Sequence, residues 1–447
     1  MYRHRLSFAI AVLALAACGK AGGPAAPIAG DVLVTIEQRN EDRWRVAYEL
    51  AAPRAELDLG PDIDGYRGRH WAIASEGAAL IRRDGRDVVV PAGGSRRIRS
   101  ARFLVEPAAS DRRKDYEPFI PMGDGGFIVY TGHFIPYKDA STRLDARLTI
   151  IADEGASVSA FDETKKRFEN WKSPYGHPGF VYVGAAAPIE TDALLTIADA
   201  TAPAWVKAEV ASFAPTIAGA LQGLFARALP AKPNIFVAMG DQGGEGRLSY
   251  SGDALPGQYQ MTLAGGAWAE RTDEALGVLR LSTAHEAAHL WLAAARPRTD
   301  AVPDWIHEGG ADALAAEALA AAGYWSAAEK AARFETAKAD CARGLQQLSL
   351  ARAESEDRWE AVYACGHVIS VAAAGEAGVA AFWREFVRRS ARDGYDEAMF
   401  LALAEERAGA LTVNHIRDLV RINAARPDLS IARMLERAPD LAAGEGR

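Results

Sequence analysis

Two histidines and an acid, closely spaced, are the residues in this chain best suited to chemistry. His285-Glu286-Ala287-Ala288-His289 has the form H-E-x-x-H. The surrounding stretch, residues 279–295, lacks proline and is rich in helix formers, so a helix is expected there. Positions i and i+4 share one helical face, which lets two imidazoles converge on a zinc ion at about 2.0–2.1 Å each. Glu286, beside the first histidine, is the candidate general base for the attacking water. Histidine is rare, with nine in 447 residues. Chance would place such a pattern in a chain of this length with odds on the order of one per cent. The plain alternative is a pair of histidines on a partly buried helix face.

Pro303-Asp304-Trp305-Ile306-His307-Glu308-Gly309-Gly310-Ala311-Asp312 reads as the start of a second helix, with proline near its first turn. Eighteen residues lie between His289 and Glu308. The pattern H-E-x-x-H-x18-E resembles that of gluzincin zinc peptidases related to aminopeptidase N and leukotriene hydrolase. Trp305, Glu308, Gly309 and Ala311 also resemble that family's sequence around its glutamate ligand. The resemblance implies one zinc ion held by His285, His289 and Glu308, with a fourth position open to water. Asp312 matches an aspartate that, in thermolysin-like members, hydrogen-bonds a zinc histidine and raises its basicity. An exposed helix aspartate is the alternative. Val362-Tyr363-Ala364-Cys365-Gly366 resembles the family's Tyr-x-x-Gly element, whose tyrosine hydroxyl stabilises the oxyanion. Tyr363 follows Glu308 by 55 residues. A core tyrosine on a helix is the alternative there. His307 points about 100° away from Glu308 around the helix and is read as a non-ligand. His367 is the lesser candidate, because a single histidine near a site is more often structural.

One family element is missing. Aminopeptidases of this type carry Gly-x-Met-Glu-Asn upstream of the zinc helix, where the glutamate holds the substrate's free amine. Residues 249–263 read SYSGDALPGQYQMTL instead, and the Gly-Gly-Leu-Glu element of glycyl aminopeptidases is absent too. Residues 259–263 are expected to form the edge strand to which a peptide adds by backbone pairing. The function expected is zinc-dependent hydrolysis of a peptide or protein, at a terminus or internally. Two rival readings stand beside it: a zinc hydrolase of non-peptide substrates, and an inactive, lipid-anchored binding or assembly protein. A purely structural zinc fits less well, since such sites typically use four protein ligands.

A chain of 447 residues calls for two or three domains to position these groups. Residues 32–36, 44–48, 87–90, 127–130, 147–151 and 180–183 are short β-rich runs punctuated by Gly and Pro. They suggest a β-sandwich-like domain over residues 31–187. Residues 188–374 are expected to form a thermolysin-like α+β catalytic domain. It would hold a helix over 202–229, strands over 234–239 and 258–263, and nearly continuous helices from Arg271. Residues 375–447 are expected to be a helical C-terminal region.

The net charge of -8, with both signs interspersed, argues against nucleic-acid binding. Arg3, His4 and Arg5 precede an apolar stretch too short to span a bilayer, and then Leu15-Ala16-Ala17-Cys18. Residues 1–18 resemble a bacterial lipoprotein signal with Cys18 as the lipidated residue; an ordinary signal peptide is the alternative. Residues 19–30 read as a flexible tether. Lipidation would anchor the body to a membrane surface in the cell envelope. Gly19 in place of an aspartate retention signal favours the periplasmic face of the outer membrane. Cys341 and Cys365 would then meet an oxidising compartment, either as a disulfide or as two buried thiols.

Overall fold

The computed structural model describes residues 28–62, 64–108, 116–295, 297–298 and 302–436. Cys18 and most of the tether lie outside the described residues.

Strict alternation builds the N-terminal sheets. In Arg43–Arg54, Trp44, Val46, Tyr48 and Leu50 are buried, while Arg43, Arg45 and Glu49 are exposed. This strand pairs with Val32–Asn40 and Ile98–Val105 in a six-stranded sheet. A five-stranded sheet centred on Phe180–Gly184 covers its inner face. Val34, Trp44, Phe103, Phe119 and Val181 meet in the core between the two. A smaller three-stranded sheet, Leu57–Pro61, Arg86–Pro91 and Ala78–Arg83, completes this half.

A second five-stranded sheet begins at Ile189–Glu190. Its central strand, Asn234–Met239, runs parallel to Leu195–Ala198 and to Gln258–Ala264. Both faces are covered, so the central strand is apolar on both sides. Ile235 and Val237 face the helices, whereas Phe236 and Ala238 pack with Phe180 and Tyr182 of the N-terminal half. Two buried amides lock the halves together. Gln258 donates Nε2–H to the carbonyl of Phe180 at 2.7 Å and accepts from its N–H at 2.8 Å. Asn234 makes the same kind of clasp with Phe161.

The sheet corrects one expectation. Residues 259–263 are not at the edge: Gln258–Ala264 is paired on both sides, and the edge is Ser249–Leu255. Pro256 and Gly257, the latter at φ 75°, close a two-residue turn that folds the edge strand back onto its neighbour.

Helices follow. The His helix, Asp273–Leu292, starts where Thr272 accepts a hydrogen bond from the Ala275 N–H at 3.0 Å. Asp273 and Glu274 in its first turn suit the positive end of the helix dipole. Next come the Glu helix, Asp304–Ala321, the Arg helix, Ala327–Gly344, and the Tyr helix, Trp359–Ala374. The Arg helix opens with a capping box between Ser326 and Glu329. Four further helices, from Val379–Asp393 to Pro427–Leu435, end the described chain. Among the described residues no single helix is long and apolar enough to cross a membrane.

Cys341 of the Arg helix is bonded to Cys365 of the Tyr helix, 24 residues apart in sequence. A closed loop of that length restricts the unfolded chain by roughly 3 kcal/mol. Reduction, or paired substitution by alanine, is therefore expected to lower the unfolding free energy of the helical part by about that amount, and the denaturant midpoint with it. Unfolding curves with and without reductant test it.

Candidate metal centre

One helical turn on the His helix carries His285, Glu286 and His289, all buried. Their Nε2 atoms, on His285 and His289, lie 3.1 Å apart. Glu308 of the Glu helix brings Oε2 to 3.2 Å from His285 Nε2 and 3.4 Å from His289 Nε2. Among the described residues this is the one group of three that could hold a metal ion. Four ligands around a tetrahedral zinc at about 2.0–2.1 Å lie about 3.3 Å from one another. The three donor atoms match that spacing, and the N/N/O set suits zinc.

The electrostatics agree. Burial works against charge on His285, yet Asp312 and Glu308 outweigh it and push its pKa well above the usual value. Burial likewise opposes ionisation of Glu308, but His289 and His285 hold its pKa well below the usual carboxylate range. The pocket is thus built to keep positive charge beside an ionised carboxylate.

Supporting groups surround the donors. Asp312 sits one turn after Glu308, with Oδ1 2.9 Å from His285 Nδ1. Its Oδ2 accepts from Arg333 Nη2 at 3.0 Å. Despite burial, His285 and Arg333 bring the Asp312 pKa down to about 2, so it is an acceptor at neutral pH. An ionised Asp312 holds a proton on His285 Nδ1, which would leave Nε2 as the atom that turns to a metal ion. His289 is held differently. Its buried Nδ1 has no hydrogen-bond partner, but its ring stacks on His307 with centroids 4.5 Å apart. His307 stays outside the three-donor group. Burial first, and then His289, depress its pKa to about 3, so the stacking ring is neutral.

Glu286 lies against the edge strand. A Cβ on Gly252 would overlap the Glu286 carboxylate, 2.8 Å from its Cδ. Only a glycine lets the strand lie that close. Burial raises the Glu286 pKa, against the pull of His285 and His289. Tyr363 comes from the Tyr helix, its ring 5.5 Å from that of His285. Burial and the charges of Glu308 and Glu286 push its hydroxyl far above the usual phenol value, so it remains a proton donor. His367, one turn further on, is buried against Phe334, with ring centroids 5.8 Å apart. It is not among the three donors.

Every residue singled out around the two motifs thus falls in one region. Three neighbours were not legible: Arg333, the stacking contact of His307, and Tyr250 on the edge strand. Each arrives from a separate element by tertiary packing, so no short-range pattern announces it.

No family model and no curated protein matches the sequence. Solved structures do. An aminopeptidase N family protein from Idiomarina loihiensis aligns with a TM-score of 0.64 at 12% identity, over 90% of this chain and 78% of that one. A mutant M1 zinc metallopeptidase from Deinococcus radiodurans, bound to a Tyr-Ser-Ala substrate, aligns at 0.50 and 17% identity, over 88% and 94% of the chains. At such identities the likeness is one of fold. The chain has an aminopeptidase N-like fold, with a sheet-rich N-terminal part followed by a helical C-terminal part.

Proposed function

We propose that this chain is a zinc-dependent peptidase. The observation that carries the reading is the triangle of His285, His289 and Glu308 donors, flanked by a buried carboxylate and a phenol. A zinc ion held there supplies a Lewis acid for the substrate carbonyl and lowers the pKa of water. Glu286 takes the proton of the attacking water and returns it to the leaving amine. Its raised pKa suits a group that must both accept and release a proton. The Tyr363 hydroxyl donates to the carbonyl oxygen as negative charge develops on it. Asp312 and His307 keep the two imidazoles in place. The fold likeness to zinc aminopeptidase N-type proteins supports the same reading.

The Leu15–Cys18 signal supports attachment of the body to the cell envelope by a lipidated Cys18 and the tether of residues 19–30. Metabolic labelling with a fatty acid, lost in Cys18→Ser, tests that part.

Zinc-loaded protein should cleave members of a mixed peptide library. A strong chelator should abolish cleavage and added zinc should restore it. Mapping the products separates terminal from internal cleavage. A loaded protein that binds peptides and cleaves none would support a binding protein on an inactive peptidase fold instead.

A further inference from the structure

The edge strand offers one side chain to the cleft that the mechanism above does not use. Successive residues of a strand face opposite sides, so Tyr250, Gly252 and Ala254 share a face. Gly252 lies directly on the Glu286 carboxylate, which fixes that face toward the His helix. Tyr250 is two residues along, a step of roughly 7 Å. Its partner across the ladder, Leu263, is buried in the helical core on the same side. Tyr250 itself is 45% exposed, so its side chain is within reach of a bound substrate. Among the described residues its hydroxyl makes no hydrogen bond. Its neighbourhood is nonetheless that of the centre: desolvation first, then the charges of Asp312 and Glu286, push its pKa up to about 12. Tyr363 feels Tyr250 in turn. One phenol, on the Tyr helix, thus lies beside His285, and a second, on the edge strand, stands two residues from the Gly252–Glu286 contact.

We propose that Tyr250 is a second substrate-contacting phenol, donating a hydrogen bond from the edge-strand side to a backbone carbonyl of a bound peptide. This rests on the peptidase reading of the same site. The two phenols divide the work by position. Tyr363 packs on the His285 ring and serves the reacting oxygen. Tyr250 extends from a strand whose outer edge is unpaired, and so it meets a carbonyl beside the scissile bond. Such a bond is made equally in the ground state and the transition state, so its loss shows in KM.

The test is Tyr250→Phe, which removes one exposed oxygen and leaves the ring. On a peptide that the wild type cleaves, KM should rise roughly tenfold with kcat within about twofold, and zinc content should be unchanged. The dissociation constant of a peptide hydroxamate, a metal-directed probe, should weaken by about the same factor. A KM and a hydroxamate affinity both within about twofold of wild type overturn the proposal. If the wild type binds the hydroxamate and cleaves no peptide, the peptidase reading fails alone and the affinity comparison still decides Tyr250. If zinc-loaded wild type does not bind the hydroxamate, both fall.

Discussion

Glu286→Gln is expected to lower kcat by about 10²–10⁴-fold, the usual contribution of a positioned general base, while zinc content stays at the wild-type level. The two halves of that result have separate causes. The three side chains placed to hold a metal are His285, His289 and Glu308, and Glu286 is not among them. A carboxamide keeps the size and shape of the carboxylate, so the close approach of Gly252 is preserved. What it loses is the ability to take a proton. Stability should not fall either. Burial raises the Glu286 pKa, which means that the charged form is the one the fold penalises. The stability linked to such a raised carboxyl is present at low pH and is lost as the pH rises through its folded pKa. Glutamine lacks that penalty, so at neutral pH the variant should melt at or above the wild-type temperature. Metal analysis, a melting curve and kcat on one library-derived peptide complete the measurement. Wild-type turnover with zinc retained would remove Glu286 from the mechanism.

The site was legible where chemistry is written in helical spacing. His285, Glu286 and His289 need only a continuous helix to share a face, and the helix formers around them guarantee one. Glu308, Asp312 and Tyr363 were legible through resemblance, because the distance between helices in sequence does not reveal their distance in space. The edge strand was misplaced for a physical reason. Gln258–Ala264 is paired on both sides and buried, so it carries the stronger strand signal. Ser249–Leu255 is paired on one side, and its sequence SYSGDAL is half-exposed and short of β-branched residues. A strand that must leave room for a carboxylate and a substrate is selected for small and polar side chains, which are poor evidence of a strand. Arg333 illustrates the other limit. It reaches Asp312 from across a helix–helix contact, and nothing in the Arg helix distinguishes it from a solvated arginine.

Gly366→Ala is expected to damage both the fold and the site, by way of the contact that brings Tyr363 beside His285. The Glu helix and the Tyr helix touch backbone to backbone. A Cβ on Gly366 would overlap the Trp305 carbonyl oxygen and lie 2.7 Å from the Gly309 Cα. A Cβ on Gly309 would overlap the Gly366 Cα and lie 2.6 Å from the His367 nitrogen. No rotamer relieves such an overlap, because both partners are main chain. The helices must move apart, at the upper end of the roughly 1–3 kcal/mol that overpacking costs. Alanine's better helix propensity returns about 1 kcal/mol at most. Gly277 separates these terms. It lies within the His helix with nothing within 4 Å of its would-be Cβ. Gly277→Ala should therefore gain up to about 1 kcal/mol, while Gly366→Ala should lose about 2 kcal/mol. Activity should fall further than stability in the second case. Tyr363 lies three residues before Gly366, and Glu308 immediately precedes Gly309, so separating the helices displaces the phenol and one of the three candidate metal donors together. A misplacement of about 1 Å costs on the order of 10²-fold in rate. Melting curves of the two alanine variants, with kcat and zinc content measured below their transitions, give the result. A Gly366→Ala protein as stable and active as wild type would show that the two helices do not meet at these glycines.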